Sequence, residues 1–279
     1  MNFNDLLESH PEILVDRTGL SFSRHDTDPA VDAYARSGAI VLRQALPASV
    51  LGEAAGRIER QIGAATGDSW HKPWDLHQGA AYPAAAVLAA VLRSWAWDVV
   101  EHICRSSRLV VILKWCTIRH TIDRQLGLGG HQDAKVVAPD VPFAMWIPLT
   151  PVGPRQASGL GYMTAAPDHL LPTAPNDDIG AAYLLDALDR LWVPTYDVGD
   201  LSIHSRYSPH FTTGFGTGRD RYSMEVRVMS RLDAPGAYTD PALHIARRGG
   251  KPTIVDRTGT PVEGLQAFFD SPDLAAVSA

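Results

Sequence analysis

The residues of this sequence whose types and spacing best suit chemistry are His131, Asp133, His210 and Arg221. Two imidazoles and one carboxylate can bind a non-haem Fe(II) on one face and leave coordination positions open for substrate and O₂. An arginine adds a planar, permanently charged fork that can bind a carboxylate through two hydrogen bonds. The set therefore predicts an iron-dependent oxygenase centre that also binds an organic acid, provided that the fold brings the four residues together.

The motif His131-Gln132-Asp133 is weak evidence by itself. With 11 histidines and 24 aspartates in 279 residues, about one His-x-Asp pair is expected by chance. A polar loop that follows a glycine-rich stretch is the simpler interpretation. On an extended segment, however, residues i and i+2 point to the same side, so His131 and Asp133 can reach one metal ion.

A third ligand must come from another strand, and His204 and His210 are the candidates. Many non-haem Fe(II) oxygenases use 2-oxoglutarate as a cosubstrate. This molecule chelates iron through its keto-acid end and needs a cation for its distal carboxylate. Arg221 follows His210 by eleven residues, whereas the residue eleven after His204 is Phe215. This spacing favours His210, and it leaves His204 as a pocket residue or an ordinary core histidine.

Two further patterns each permit a functional and a structural interpretation. The odd positions between Arg219 and Val228 are polar and the even positions are mainly apolar. The polar face of such a strand either meets water or, if the N-terminal helices cover the other face of the sheet, lines a polar ligand cavity. Lys114 interrupts a long apolar run, and it either contacts a ligand carboxylate or extends along an edge strand to reach water.

Several motifs together resemble one known family over most of the chain. They are the segments 31–34 and 38–42, His131-Gln132-Asp133, Trp146-Ile147-Pro148-Leu149, Gly199-Asp200 before His210, and Arg221. The sequence thereby resembles the phytanoyl-CoA hydroxylase-like Fe(II)/2-oxoglutarate dioxygenases. It departs from the family's usual loop motifs at Ser158 and Asp168, so the substrates of relatives are not carried over.

The resemblance implies an α+β fold with a double-stranded β-helix core, a cupin-like jelly roll, and N-terminal helices packed on its major sheet. It implies that His131, Asp133 and His210 bind Fe(II), and that Arg221 binds the distal carboxylate of 2-oxoglutarate. Other residues expected at the cosubstrate are Ser223, Thr212, Lys114, Gln132 and Trp146. Residues expected near the substrate are His204, Arg206 and Arg119.

The function expected from the family is oxidation of an unactivated C–H bond in a small molecule, with O₂ consumed and succinate and CO₂ released. Hydroxylation in a secondary-metabolite pathway is the first expectation; desaturation, ring closure and epoxidation use the same centre. Asp133 argues against halogenation, because halogenating relatives have a small residue there. A non-catalytic jelly-roll binding protein and a zinc or manganese cupin remain as alternatives.

The elements that must position these residues change in character along the chain. Periodicity and capping residues predict helices from Pro29 to Arg36, from the segment 47–49 to about Ile62 and over residues 82–105. Strands are expected over 39–43, 109–118, 143–149, 198–204, 209–213 and 221–231, with helices at 176–191 and 264–269. Helices followed by strands favour one α+β domain over residues 1–279, helical to about residue 106 with the β core at about 107–260.

The bulk composition excludes some classes of protein. A net charge of −6 argues against a general nucleic-acid surface. The uncharged stretch from Gly79 to Leu92 is too short to span a membrane, and the first 17 residues lack a signal-peptide pattern. Two cysteines, Cys104 and Cys116, show no metal or disulfide spacing. A cytoplasmic enzyme is therefore expected, and the sequence does not predict its oligomeric state.

Overall fold

Strands dominate the second half of the chain, as the sequence predicts. The computed structural model describes residues 8–13, 17–24, 26–62, 69–71, 81–122, 129–137, 141–165, 167–173, 178–215, 217–230 and 241–270. The strands in these ranges are β1 (Ser21–Phe22), β2 (Ala39–Leu42), β3 (Ser69–His71), β4 (Arg108–Ile112), β5 (Thr117–Thr121), β6 (Phe143–Pro148), β7 (Gly159–Met163), β8 (Leu191–Trp192), β9 (Leu201–Ser205), β10 (His210–Thr213), β11 (Arg221–Met229), β12 (Ala242–Arg248) and β13 (Lys251–Val255).

The α-helices lie mainly before the strands of the core. They are α1 (Thr27–Ser37), α2 (Ala48–Ile62), α3 (Ala81–Arg93), α4 (Trp95–Cys104), α5 (Ala181–Leu185) and α6 (Glu263–Asp270). Helix α1 ends at Gly38, whose φ of 78° lies in the left-handed region that glycine adopts without a steric cost. The predicted ends of α1, α2 and α6 agree with these ranges to within two residues.

Two sheets build the core of the described chain. The larger has the strand order β1-β2-β9-β6-β11-β4-β12-β13, with β5 paired to β11 and β3 paired to β5, and the smaller has the order β10-β7-β8. The central strand β11 pairs antiparallel with β6 on one side and with both β5 and β4 on the other. Residues of both sheets line one cavity. This arrangement confirms the predicted α+β fold with a jelly-roll core.

The N-terminal helices cover the outer face of the large sheet. Even positions of β11, such as Met224 and Val226, share one buried apolar cluster with Leu51 of α2 and Leu88 of α3. The odd positions therefore face the other way, between the sheets. This settles the interpretation of the alternating strand: its polar face is buried inside the protein and does not meet bulk water.

Three predicted elements differ from the structure. The helix expected over 82–105 is two helices, which meet at Ser94 with a bend of 73°. The apolar run 109–118 is two strands separated by a 3-10 turn, Leu113–Trp115. The helix expected over 176–191 is only Ala181–Leu185 and a 3-10 turn in its described part, and residues 176 and 177 lie outside the described ranges, as does the predicted end of β11 at residue 231.

Within the described ranges, no single helix has the length and apolarity needed to cross a membrane. The bent pair Pro83–Arg93 and Trp95–Cys104 meets these criteria by length and composition when the two helices are taken together.

Candidate metal centre

Backbone pairing brings the first and third predicted metal ligands side by side. His131 and His210 form an isolated antiparallel bridge, in which each N–H donates to the other residue's carbonyl oxygen at 3.0 Å. Their ring centroids are 4.3 Å apart. Gln132 is extended, and Asp133 then begins a short 3-10 turn. One ligand atom from each of His131, Asp133 and His210 lies within 4.8 Å of the other two.

Backbone carbonyls orient both imidazole rings of this cluster. The Nδ1 of His131 donates to the carbonyl oxygen of Gly129 at 2.8 Å, and the Nδ1 of His210 donates to that of Ser208 at 3.0 Å. With Nδ1 protonated, Nε2 keeps its lone pair for a metal. Burial lowers the pKa of the His210 imidazole well below its usual value, and the neighbouring His131 and His204 lower it further. His210 is therefore neutral and able to ligate.

A buried arginine holds the carboxylate of the cluster. Arg227 donates a hydrogen bond from Nη1 to Oδ2 of Asp133, while Oδ1 is 3.9 Å from Nε2 of His210. Burial by itself would raise the pKa of the Asp133 carboxyl, but the charge of Arg227 and the contact with His204 keep it well below its usual value. Asp133 is thus ionised and can ligate a cation.

Arg227 is a site residue that the sequence reasoning missed. The alternation of β11 placed it on the same polar face as Arg221 and Ser223, so the pattern contained a signal. It did not show which partner the guanidinium meets.

His204 lies next to the centre but outside the three-ligand cluster. The residue is fully buried, its ring centroid is 4.4 Å from that of His210, and its Nε2 is 3.6 Å from Oδ2 of Asp133. Neither ring nitrogen has a hydrogen-bond partner among the described residues. The structure therefore groups His210, and not His204, with the two other ligand candidates.

A cavity of about 410 Å³ opens on the centre. This volume suits a small molecule, since pockets for such ligands span about 300–1,000 Å³. The walls combine aromatic and aliphatic side chains with charged ones. The lining residues are Lys114, Trp115, Thr117, Arg119, His131, Asp133, Val136, Trp146, Leu160, His210, Thr212, Ser223, Glu225 and Arg227.

The two arginines next to Ser223 differ in their access to this cavity. Arg119 lines it, pairs across the strands with Ser223, and has its Nη1 3.5 Å from Oγ1 of Thr212. Arg221 is fully buried and, in the described part of the chain, is not among the lining residues. It donates to the carbonyl oxygen of Gly159 at 3.1 Å and to Oγ1 of Thr121 at 2.9 Å. Its guanidinium also lies over the ring of Trp146.

The other predicted site residues divide into two groups. Lys114 is exposed in its 3-10 turn and lines the cavity, so it is not a lysine buried within a strand. Gln132 and Arg206 are buried but do not line the cavity as the structure describes it. Gln132 bonds the backbone of His169, Leu171 and Tyr207, and Arg206 donates to the carbonyl oxygen of Ala134. Both therefore support the loops around the metal ligands.

No protein-family model and no curated protein matches the sequence. Solved structures do resemble the fold. The epimerase SnoN in complex with Fe3+, alpha ketoglutarate and nogalamycin RO has 17% identity and a TM-score of 0.58, over 83% of this chain and 96% of that chain.

Two further structures resemble the fold at similar levels. The non-heme monooxygenase ThoJ has 16% identity and a TM-score of 0.55, over 79% of this chain and 85% of that chain. AviO1 from Streptomyces viridochromogenes Tue57 has 15% identity and a TM-score of 0.52, over 75% of this chain and 97% of that chain. At these identities the likeness establishes the fold alone.

Proposed function

We propose that this protein is an Fe(II)- and 2-oxoglutarate-dependent oxygenase of the phytanoyl-CoA hydroxylase-like type, which hydroxylates an unactivated C–H bond of a small molecule. The observation that carries the proposal is the cluster of His131, Asp133 and His210 within a cavity that arginine side chains also line. The non-heme alpha ketoglutarate dependent epimerase SnoN and the non-heme monooxygenase ThoJ resemble this fold, which supports the proposal.

The donor set fits Fe(II). Two imidazoles whose Nδ1 atoms bond backbone carbonyls and one ionised carboxylate match the 2-His-1-carboxylate face of non-haem iron oxygenases. When bound there, Fe(II) with 2-oxoglutarate supplies the oxidation of a C–H bond, using O₂ and releasing succinate and CO₂. The protein orients the ligands through the carbonyl groups of Gly129 and Ser208 and through Arg227.

The cavity offers an anion subsite at a short distance from the metal ligands. Arg119, Thr212 and Ser223 all line it, and Thr212 is two residues beyond His210 on the same strand face. The distal carboxylate of 2-oxoglutarate would accept hydrogen bonds from this group. The sequence predicted that Arg221 binds this carboxylate directly; buried and lying over Trp146, Arg221 would instead supply a second positive charge behind the subsite.

The described part of the cavity wall supports hydroxylation rather than epimerisation as the proposed reaction. An epimerase must return a hydrogen atom to the opposite face of the carbon from which it was taken, and a tyrosine O–H or a cysteine S–H is suited to that transfer. Neither residue type lines the described part of the cavity. Desaturation, ring closure and epoxidation need no such donor, so product analysis must separate them from hydroxylation.

Anaerobic titration of the Fe(II)-loaded protein with 2-oxoglutarate tests the proposal. A metal-to-ligand charge-transfer band should appear in the visible region, and admitting O₂ should produce succinate. Asp133→Ala, which removes one ligand, should give neither signal. If the unmodified protein shows no band and forms no succinate, the oxygenase proposal fails, and a full metal screen would then test the zinc or manganese cupin.

Paired substitutions test the choice of the third ligand. His210→Ala should abolish Fe(II) binding, because a face reduced to two ligands binds the metal poorly. His204→Ala should leave Fe(II) bound, because His204 lies outside the cluster. The opposite pattern of metal retention would transfer the ligand role to His204.

A further inference from the structure

Arg227, which is not one of the proposed metal ligands, makes two charged contacts at the metal centre. The guanidinium of Arg227 lies between two carboxylates: Nη1 bonds Oδ2 of Asp133, and Nη2 bonds Oε2 of Glu225 at 3.1 Å. Arg227 and Asp133 are both buried, and Glu225 is only slightly exposed. A buried, hydrogen-bonded ion pair of this kind holds its members in one geometry.

The sheet provides the space for this contact. Arg227 pairs across the strands with Ala144 of β6, which in turn pairs with His204 of β9. Because Ala144 has only a methyl group, the guanidinium can extend across it toward Asp133. On the other side of β11, the 3-10 turn Leu113–Trp115 interrupts the neighbouring strand at the same level.

We propose that Arg227 is a positioning residue, which holds Oδ2 of Asp133 so that this carboxylate offers only Oδ1 to the metal. The inference rests on the proposed function. With His131 and His210, a single carboxylate oxygen would give a bound metal three protein ligands and would leave its other positions open for 2-oxoglutarate and O₂. A carboxylate that turned to bind through both oxygens would take one of those open positions.

If Arg227 acted only as a positive charge, its removal would change the metal affinity in the opposite direction. A cation near the metal repels it, so removing that charge would tighten metal binding. Removing a group that orients a ligand weakens metal binding, typically by about 10–100-fold. The change in metal affinity and the coordination number of the bound ion together therefore separate the two roles, because a carboxylate freed to bind through both oxygens would change that number.

The test is a Co(II) titration of the full chain, followed by calorimetry and by the visible absorption of the bound ion, which reports its coordination number. Arg227→Met should bind Co(II) about 10–100-fold more weakly and give an altered spectrum when 2-oxoglutarate is added. Arg227→Lys should restore part of the affinity, because an ammonium can still bond one carboxylate oxygen. Co(II) binding of Arg227→Met that is unchanged or tighter, with an unmodified spectrum, would overturn the inference.

A matched control and a fallback keep the result interpretable. Arg247 also bonds two carboxylates, those of Glu101 and Asp98, but it does not line the described cavity. Arg247→Met should therefore leave the Co(II) affinity unchanged. If Arg227→Met does not fold, Arg227→Lys decides: one ammonium cannot replace the fork between Asp133 and Glu225, so Co(II) binding indistinguishable from the unmodified protein would reject the inference.

The two proposals fail in different ways. If the unmodified protein binds Co(II) but shows no charge-transfer band with Fe(II) and 2-oxoglutarate, the oxygenase proposal fails. If that band appears and Arg227→Met behaves like the unmodified protein, only the positioning role fails.

Discussion

Replacing Arg119 with methionine should weaken the binding of 2-oxoglutarate without removing the metal. Arg119 is the cavity-lining arginine of the proposed anion subsite, next to Thr212 and Ser223. Methionine keeps an unbranched apolar stem that fills similar space, so the change removes mainly the charge and the hydrogen-bond donors. Arg119 donates to no metal ligand in the described structure, so the Co(II) affinity should be unchanged.

The magnitude follows from the burial of the subsite. Removing one partner of a buried, hydrogen-bonded charge pair costs about 2–5 kcal/mol. At about 1.4 kcal/mol for each factor of ten, this corresponds to a Kd that is about 30-fold to a few thousand-fold higher. The hydroxyls of Thr212 and Ser223 and the charge of Arg221 remain near the carboxylate, so the lower end, about 30–300-fold, is expected.

The assay is the anaerobic charge-transfer titration with 2-oxoglutarate, run on Arg119→Met, Arg221→Met and Arg247→Met. Arg247→Met should match the unmodified protein. Arg221→Met should also raise the Kd, but it should lower the melting temperature too, because it leaves the Gly159 carbonyl and the Thr121 hydroxyl buried without their donor. An unchanged Kd in Arg119→Met with a large rise in Arg221→Met would refute the assigned subsite and make Arg221 the direct anchor.

Two further predictions concern stability and reactivity. A Cβ on Gly161 would lie 2.0 Å from Cε2 of the buried Phe211, so Gly161→Ala should lower the free energy of unfolding in urea by about 1–3 kcal/mol. The control Gly52→Ala, in open space on α2, should raise it by up to about 1 kcal/mol; a similar loss in both would contradict the packing argument. Burial raises the pKa of the Cys104 and Cys116 thiols to about 12. Iodoacetamide should therefore not label either thiol in the native protein at pH 8; rapid native labelling would show that the thiols are accessible. The free energy of unfolding should fall as the pH rises above 9.0, the pKa of a cysteine in the unfolded chain, because the unfolded chain then loses thiol protons that the folded chain keeps.

The sequence predicted the ligand cluster better than the paths of the helices. His131 and Asp133 were predicted as a pair because residues i and i+2 of an extended segment point to the same side. His210 was predicted from its spacing of eleven residues to Arg221. Neither prediction needed knowledge of the packing. The break between α3 and α4 could not be predicted in the same way. Leu92, Arg93 and Ala96 beside Ser94 are good helix formers, so composition alone does not separate the two helices, which meet at a bend of 73° and both contribute to the apolar cluster on the sheet.

The apolar run that contains Lys114 is a second element whose interruption could not be predicted from local sequence patterns. Periodicity predicts a continuous strand, but β11 meets β4 and β5 as separate partners, and the chain between them turns outward. The charged side chain was the local sign that this part of the run does not stay within the sheet. The 3-10 turn itself depends on tertiary structure, because it lies beside Arg227 of β11 and lines the cavity.

Strand β11 concentrates the chemistry of the site because both of its faces are buried. One face is apolar and packs under the helices; the other has Arg221 and Ser223 near the proposed anion subsite and Glu225 and Arg227 near Asp133. Buried charges persist only when partners satisfy them. Arg221 bonds Gly159 and Thr121 on two other strands, and Arg227 bonds Asp133 in a turn and Glu225 on β11 itself. A register shift of one residue would exchange the two faces and bury four polar side chains among the helices. The pairing that keeps β11 in register therefore also places Arg227 beside Asp133 and Ser223 beside Arg119 in one cavity.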